Sequence, residues 1–257
     1  MKKTTLTLLT LALIATGFAQ NEKGKSFDSG KITFVEKVKI EIKTIDGVSD
    51  EMMASFPKER TSRKILYFTP DYSLYINDKK NTSEDVVNEE NDGAKVQIRM
   101  VEPDDKTFCD LKSKKRLEQK EFMSRVFLIE SDMNTAQWKL TGNRKTILDY
   151  PCQEAVLQDT SKRVSAWFTP LIPVASGPGI YGNLPGLILA IDMNDGERTI
   201  TAISTDETVP DKNLMVKPKE GKKVTQEQFV KIRDEKMKEM GAEGGGSGTQ
   251  MIIRIEK

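Results

Sequence analysis

Lys31-Ile32-Thr33-Phe34-Val35-Glu36-Lys37-Val38-Lys39-Ile40-Glu41-Ile42-Lys43-Thr44-Ile45 decides the fold class. Ile32, Phe34, Val38, Ile40 and Ile42 point one way, and Lys31, Thr33, Lys37, Lys39, Glu41 and Lys43 the other. A period of two over such a length is a long strand with one wet face. Antiparallel sheets tolerate that pattern and parallel sheets rarely do.

Outward from this strand, the chain keeps the same rhythm. Arg63–Thr69 and Ser73–Asn77 flank Pro70-Asp71 as a hairpin, and Val96, Ile98 and Met100 alternate within Lys95–Val101. Asn81–Gly93 reads as an exposed acidic loop. Strands follow at Thr107–Leu111, Lys120–Glu130 and Gln137–Leu140. Thr141-Gly142-Asn143-Arg144 reads as a turn before a strand starting at Lys145. Gln153–Leu157 pairs with Ser161–Thr169, and Leu187–Asp192 with Thr199–Ser204 across Asn194-Asp195-Gly196, a primed-turn signal. Asp50–Phe56, stopped by Pro57, reads as a short helix. A second runs from Thr225 to Met240, with a Thr225/Gln228 capping box and a Val224/Phe229 staple. The expected class is mainly β or α+β: one curved antiparallel sheet with a short N-terminal and one C-terminal helix.

Residues 1–19 read as a signal peptide. Lys2 and Lys3 precede an apolar stretch from Leu6 to Phe18, and Gly17 and Ala19 are small enough for cleavage. Residues 20–240 form one β-rich domain that includes helix 225–240. Residues 241–257 are a Gly-rich linker and a terminal strand, Met251–Ile255, suited to adding to a sheet edge. The expected location is the periplasm, the outer envelope or the exterior. No stretch reaches transmembrane length.

Several chemistries fall away. With residues 1–19 removed, 38 basic and 39 acidic side chains remain, a net charge of −1 that gives no reason to expect nucleic acid. Even the basic run Lys112–Arg116 reads as a solvated turn. There is no histidine, so Ser-His and Cys-His catalysis are excluded. Cys109 and Cys152 suggest one disulfide closing 43 residues, worth about 3–4 kcal/mol, with two buried thiols as the alternative. The remaining ten methionines are scattered, which weakens a soft-metal role. No cofactor or metal site and no catalytic constellation is expected.

The densest signal is Ala166-Trp167-Phe168-Thr169-Pro170, then Ile172-Pro173, Gly177-Pro178 and Tyr181-Gly182-Asn183-Leu184-Pro185-Gly186-Leu187-Ile188-Leu189. With Trp138-Lys139-Leu140, Lys145–Tyr150 and Cys152–Ala155, it resembles the GLPGLI family of exported Gram-negative envelope proteins, over residues 136–192 most specifically. Asn183 stands where that family has Gly, which implies a left-handed backbone there. Pro185 and Gly186 make a tight turn that aims Leu187-Ile188-Leu189 into a buried strand. The resemblance supplies no biochemical activity. The stretch from Trp138 to Trp167 also resembles lipoprotein-carrier half-barrels, which implies an apolar ligand.

The leading expectation is therefore a non-enzymatic binding or structural protein. Its partner is a hydrophobic small molecule or an envelope protein, and its oligomeric state is open. Trp167, Leu171, Ile172, Ile180, Tyr181 and Leu184 are the candidate contact residues, around the turn of Asn183, Pro185 and Gly186. The alternative is a hydrolase using two carboxylates roughly 5–9.5 Å apart, for which Asp149, Glu154, Asp192 and Asp195 flank the specific region.

Overall fold

A computed structural model describes residues 27–40, 50, 54, 57–81, 85–91, 94–133, 137–158, 163–239 and 250–256. The signal-peptide segment, most of the helix expected over 50–56 and the Gly-rich linker lie outside the described residues.

The strands are β1 (Gly30–Lys39), β2 (Glu59–Phe68), β3 (Tyr72–Asn77), β4 (Asp85–Asn91), β5 (Ala94–Val101), β6 (Lys106–Asp110), β7 (Lys115–Phe122) and β8 (Arg125–Asp132). They continue with β9 (Trp138–Ile147), β10 (Tyr150–Leu157), β11 (Val164–Thr169), β12 (Leu187–Met193), β13 (Arg198–Asp206) and β14 (Lys222–Val224). Helix α1 (Gln226–Glu239) and β15 (Gln250–Glu256) follow.

Twelve strands form one open sheet in the order β14-β8-β7-β6-β3-β2-β1-β13-β12-β11-β10-β9. All neighbours are antiparallel except β14, which runs parallel to β8. A second sheet of three strands has the order β15-β5-β4. Thus β4 occupies part of the stretch expected to be a loop, and the terminal strand pairs with β5.

The large sheet is strongly curved, and chain length shows why. β8 and β9 stand ten strands apart in the order, about 48 Å if the sheet were flat. Six Cα steps join Asp132 to Trp138, a reach of roughly 20 Å. The two ends of the sheet must therefore approach one another. The main core cluster agrees, since it holds Ile32, Leu66, Tyr75, Cys109, Cys152, Phe168 and Ile191 together.

The crossover from Pro170 to Gly186 fills this core. Ile172, Val174 and Leu184 are buried among the strand residues. Ser176 Oγ donates to Ser73 Oγ at 2.7 Å, and the Ile172 and Ser176 carbonyls accept from the Leu187 and Ile188 N–H groups. Trp138 Nε1 donates to the Gly182 carbonyl at 2.9 Å. Asn183 has φ +63° and Gly186 φ +148°, so the turn takes the backbone its residues favour, and Leu187, Ile188 and Leu189 are fully buried.

The expected disulfide is absent: Cys109 and Cys152 are free and buried. Each thiol has its own polar neighbour: Cys152 Sγ donates to the Tyr150 carbonyl at 3.4 Å, and Cys109 shares a hydrogen bond with the Ser73 side chain. Helix α1 carries the expected capping box, with Thr225 N–H donating to Gln228 Oε1 at 2.9 Å and Gln228 N–H to Thr225 Oγ1 at 3.2 Å. Phe229 packs on Phe127 and Ile129 of β8. Among the described residues, no helix is long and apolar enough to cross a membrane.

Candidate functional site

Strand β11 presents its two faces unequally. Val164, Ala166 and Phe168 enter the core, so Ser165 and Trp167 are delivered to the opposite face. Register then builds a site around them. Trp167 lies between Glu154 of β10 and Ala190 of β12, and Ala190 stands opposite Thr201 of β13. In the next row, Ser165 faces Asp192, which faces Thr199. With Lys145, Arg163 and Asp195, these residues line an open groove of about 300 Å³, at the lower end of the range for ligand pockets, roughly 300–1,000 Å³. Ala190 is the floor, and its small side chain leaves the space beside the indole.

Irregular backbone shapes both sides. One bulge falls between Trp167 and Phe168, where β12 carries an extra residue. A larger one falls in β9, where Thr141, Gly142 and Asn143 stand opposite Glu154 alone, between the Leu140–Ala155 and Arg144–Gln153 pairs. The segment expected to be a turn is therefore this bulge within one strand. Bulges re-aim side chains beside functional sites.

Electrostatics in the groove are divided. Lys145 Nζ sits 4.1 Å from the Trp167 ring centroid, a cation–π contact, and burial lowers its pKa. Arg163 pairs with Asp195 at 3.0 Å. Asp192 Oδ1 accepts the Gly196 N–H at 2.9 Å. Glu154 Oε2 accepts from Thr141 Oγ1 and Asn143 Nδ2, each at 2.7 Å. Partial burial pushes the Glu154 pKa up, but these hydrogen bonds, with Arg163 and Lys145 nearby, outweigh it and hold the carboxyl below its usual range. Among the described residues, no three His, Cys, Asp or Glu are placed to hold a metal ion.

The structure gathers Trp167, Glu154, Asp192 and Asp195 from the sequence candidates into this one groove. Asp149 lies instead in the β9–β10 turn, at φ +64°. Ile172 and Leu184 are in the core, Leu171 and Tyr181 pack against it half-buried, and Ile180 is exposed. Pro185 is exposed at the turn, with Asn183 half-buried and Gly186 buried beside it. Lys145, Arg163, Ser165, Thr199 and Thr201 were not read from the sequence. The alternation of β11 was the available signal, because it leaves Ser165 and Trp167 on the wet face.

The family model "N-glycanase peptide, N-terminal domain" matches residues 72–230. Two solved structures of PNGF-II, in space groups C2 and P21, superpose with TM-scores of 0.53 and 0.52 at 18% identity. They cover 79% and 80% of this chain but 32% and 33% of their own, so the chain spans about a third of their length. At that identity the likeness shows the fold alone. No curated protein matches. The resemblance to GLPGLI proteins is corrected by the family match, which runs from β3 into α1. Of the stretches within residues 136–192 that carried it, the name-giving run is turn geometry, with Asn183 at φ +63° and Gly186 at φ +148°. The same match overturns the expectation of a non-enzymatic binding or structural protein with an apolar ligand or protein partner. On the match over residues 72–230, this chain belongs to the family of N-glycanase peptide N-terminal domains.

Proposed function

We propose that this chain serves an N-glycanase activity by engaging the glycan of a glycoprotein substrate in the groove beside Trp167. The observation that carries this reading is the composition of the groove. It combines one indole with three carboxylates and three hydroxyls on the solvent face of five strands. A sugar ring has an apolar C–H face and a rim of hydroxyls. An aromatic surface matches the first, and carboxylate and hydroxyl oxygens accept hydrogen bonds from the second. Membership of the N-glycanase family and the PNGF-II-like fold support the assignment.

Titration with an Asn-linked glycopeptide tests it, read by isothermal titration calorimetry against the same peptide without its glycan. Saturable binding of the glycosylated form alone is expected. Trp167→Ala should weaken it about tenfold or more, the scale of an aromatic anchor. Ala190→Phe, which fills the floor, should do the same with Trp167 intact. Equal binding of the bare peptide, or binding unchanged in both variants, would sink the reading.

A further inference from the structure

The bulge in β9 is hard to account for as scaffolding. Thr141, Gly142 and Asn143 are all exposed, so they add nothing to the core. Three residues opposite one leave ladder groups unpaired on the last strand of the sheet. A bulge at an edge also discourages pairing with another chain, but that purpose needs no particular side chains. Here both polar side chains of the bulge converge on one oxygen. Thr141 Oγ1 and Asn143 Nδ2 donate to Glu154 Oε2, and the Asn143 N–H donates back to Thr141 Oγ1 at 3.2 Å. Gly142 turns between them at φ +87° with open space where a Cβ would stand, so the backbone angle is what asks for glycine.

The result is a carboxylate fixed on the groove wall through Oε2, with its second oxygen, Oε1, left to face the groove's ligand. Its surroundings are unbalanced. Of the two cations in the groove, Arg163 is engaged with Asp195 and Lys145 lies on the indole. Glu154 and Asp192 remain as acceptors. Such a wall favours hydroxyl donors and disfavours a second negative charge.

We propose that Glu154, held by the Thr141–Asn143 bulge, is the specificity-determining residue of the groove and selects an uncharged saccharide over an anionic one. This rests on the glycan reading of the groove. Glu154 accepts hydrogen bonds from sugar hydroxyls through Oε1, and its charge repels a carboxylated sugar. Thr141 and Asn143 are positioning residues that act through it.

The test uses the full chain and two glycopeptides with the same core, one ending in neutral sugars and one capped with sialic acid. The wild type should bind the neutral probe about tenfold more tightly at low ionic strength, and the ratio should shrink as salt rises. Glu154→Gln keeps the shape and removes the charge, so the ratio should fall towards one. Asn143→Ala should weaken neutral binding while leaving a preference for it. Circular dichroism reports that each variant is folded. A ratio unchanged in Glu154→Gln, while Trp167→Ala still weakens binding of both probes, would overturn the role of Glu154 and leave the groove standing. Binding of both probes unchanged in Trp167→Ala would remove the groove itself.

Discussion

At the scale of single residues, Gly186 leaves no room for a side chain. A Cβ there would lie 2.1 Å from the Thr169 carbonyl oxygen, and φ is +148°. Gly186→Ala is expected to cost about 3 kcal/mol or more, seen as a lower urea midpoint with an unchanged slope. This residue was legible, as was Asn183, because both declare a backbone conformation through their own chemistry. Glu36 was not. Its parity puts it in line with Ile32 and Phe34, and it is buried, with Arg198 Nη2 2.8 Å from its Oε1. A charged residue on the apolar face can be placed only when its partner is known, and that partner is on β13.

At the scale of elements, hairpins declared by turn-forming residues such as Pro70-Asp71 and Asn194-Asp195-Gly196 were legible, and a hairpin without them was not. Asn194 and Asp195 take left-handed φ before Gly196, where a primed turn was expected. Met123 and Ser124 do the same at φ +50° and +56° with no glycine between them. Lys120–Glu130 consequently read as one strand, although it spans the β7–β8 hairpin. The β9 bulge was misread for the opposite reason, since Gly142 and Asn143 are turn formers placed inside a strand. Helix α1 was legible from its cap. Thr225→Ala should cost about 1 kcal/mol of stability, because it leaves the Gln228 N–H without its partner. Thermal unfolding monitored by far-UV circular dichroism measures this. Thr225→Ser, which retains the acceptor, should restore most of the loss.

At the scale of the whole molecule, the class was legible from strand rhythm, whereas the groove was not. Its walls come from five strands, and only register brings Lys145, Glu154, Trp167, Asp192 and Thr201 together. Individual candidates were visible; their meeting was not. The cysteines make the same point, because an even count in a chain read as exported suggested a bond that the structure does not contain. Burial pushes both thiols up to about 11. Little thiolate exists at pH 8, and thiolate is the reactive form. Iodoacetamide is therefore expected to leave the native protein unlabelled at pH 8 and to label both cysteines in denaturant. Dithiothreitol should leave Tm unchanged; a fall in Tm on reduction would show a disulfide.

The strand order also sets a sequence of events during folding. Reading outward from the centre, β1-β2-β3-β6-β7-β8 occur in chain order, interrupted by β4 and β5 of the second sheet, and β13-β12-β11-β10-β9 run in reverse. Most pairings within each half are hairpins, the exceptions being β3–β6, bridged by β4 and β5, and β11–β12, bridged by the Pro170–Gly186 crossover. The backbone pairing that joins the halves is β1–β13, where Lys31 stands opposite Asp206, 175 residues away. Closing such a loop costs about 2.5 kcal/mol more entropy than closing a ten-residue hairpin. That pairing is repaid only once both halves exist, so the seam is the late and slow step. The groove lies on the second half, with β13 at the seam contributing Thr199 and Thr201. Every lining residue of the groove can thus be brought together within that half, before the two halves have joined.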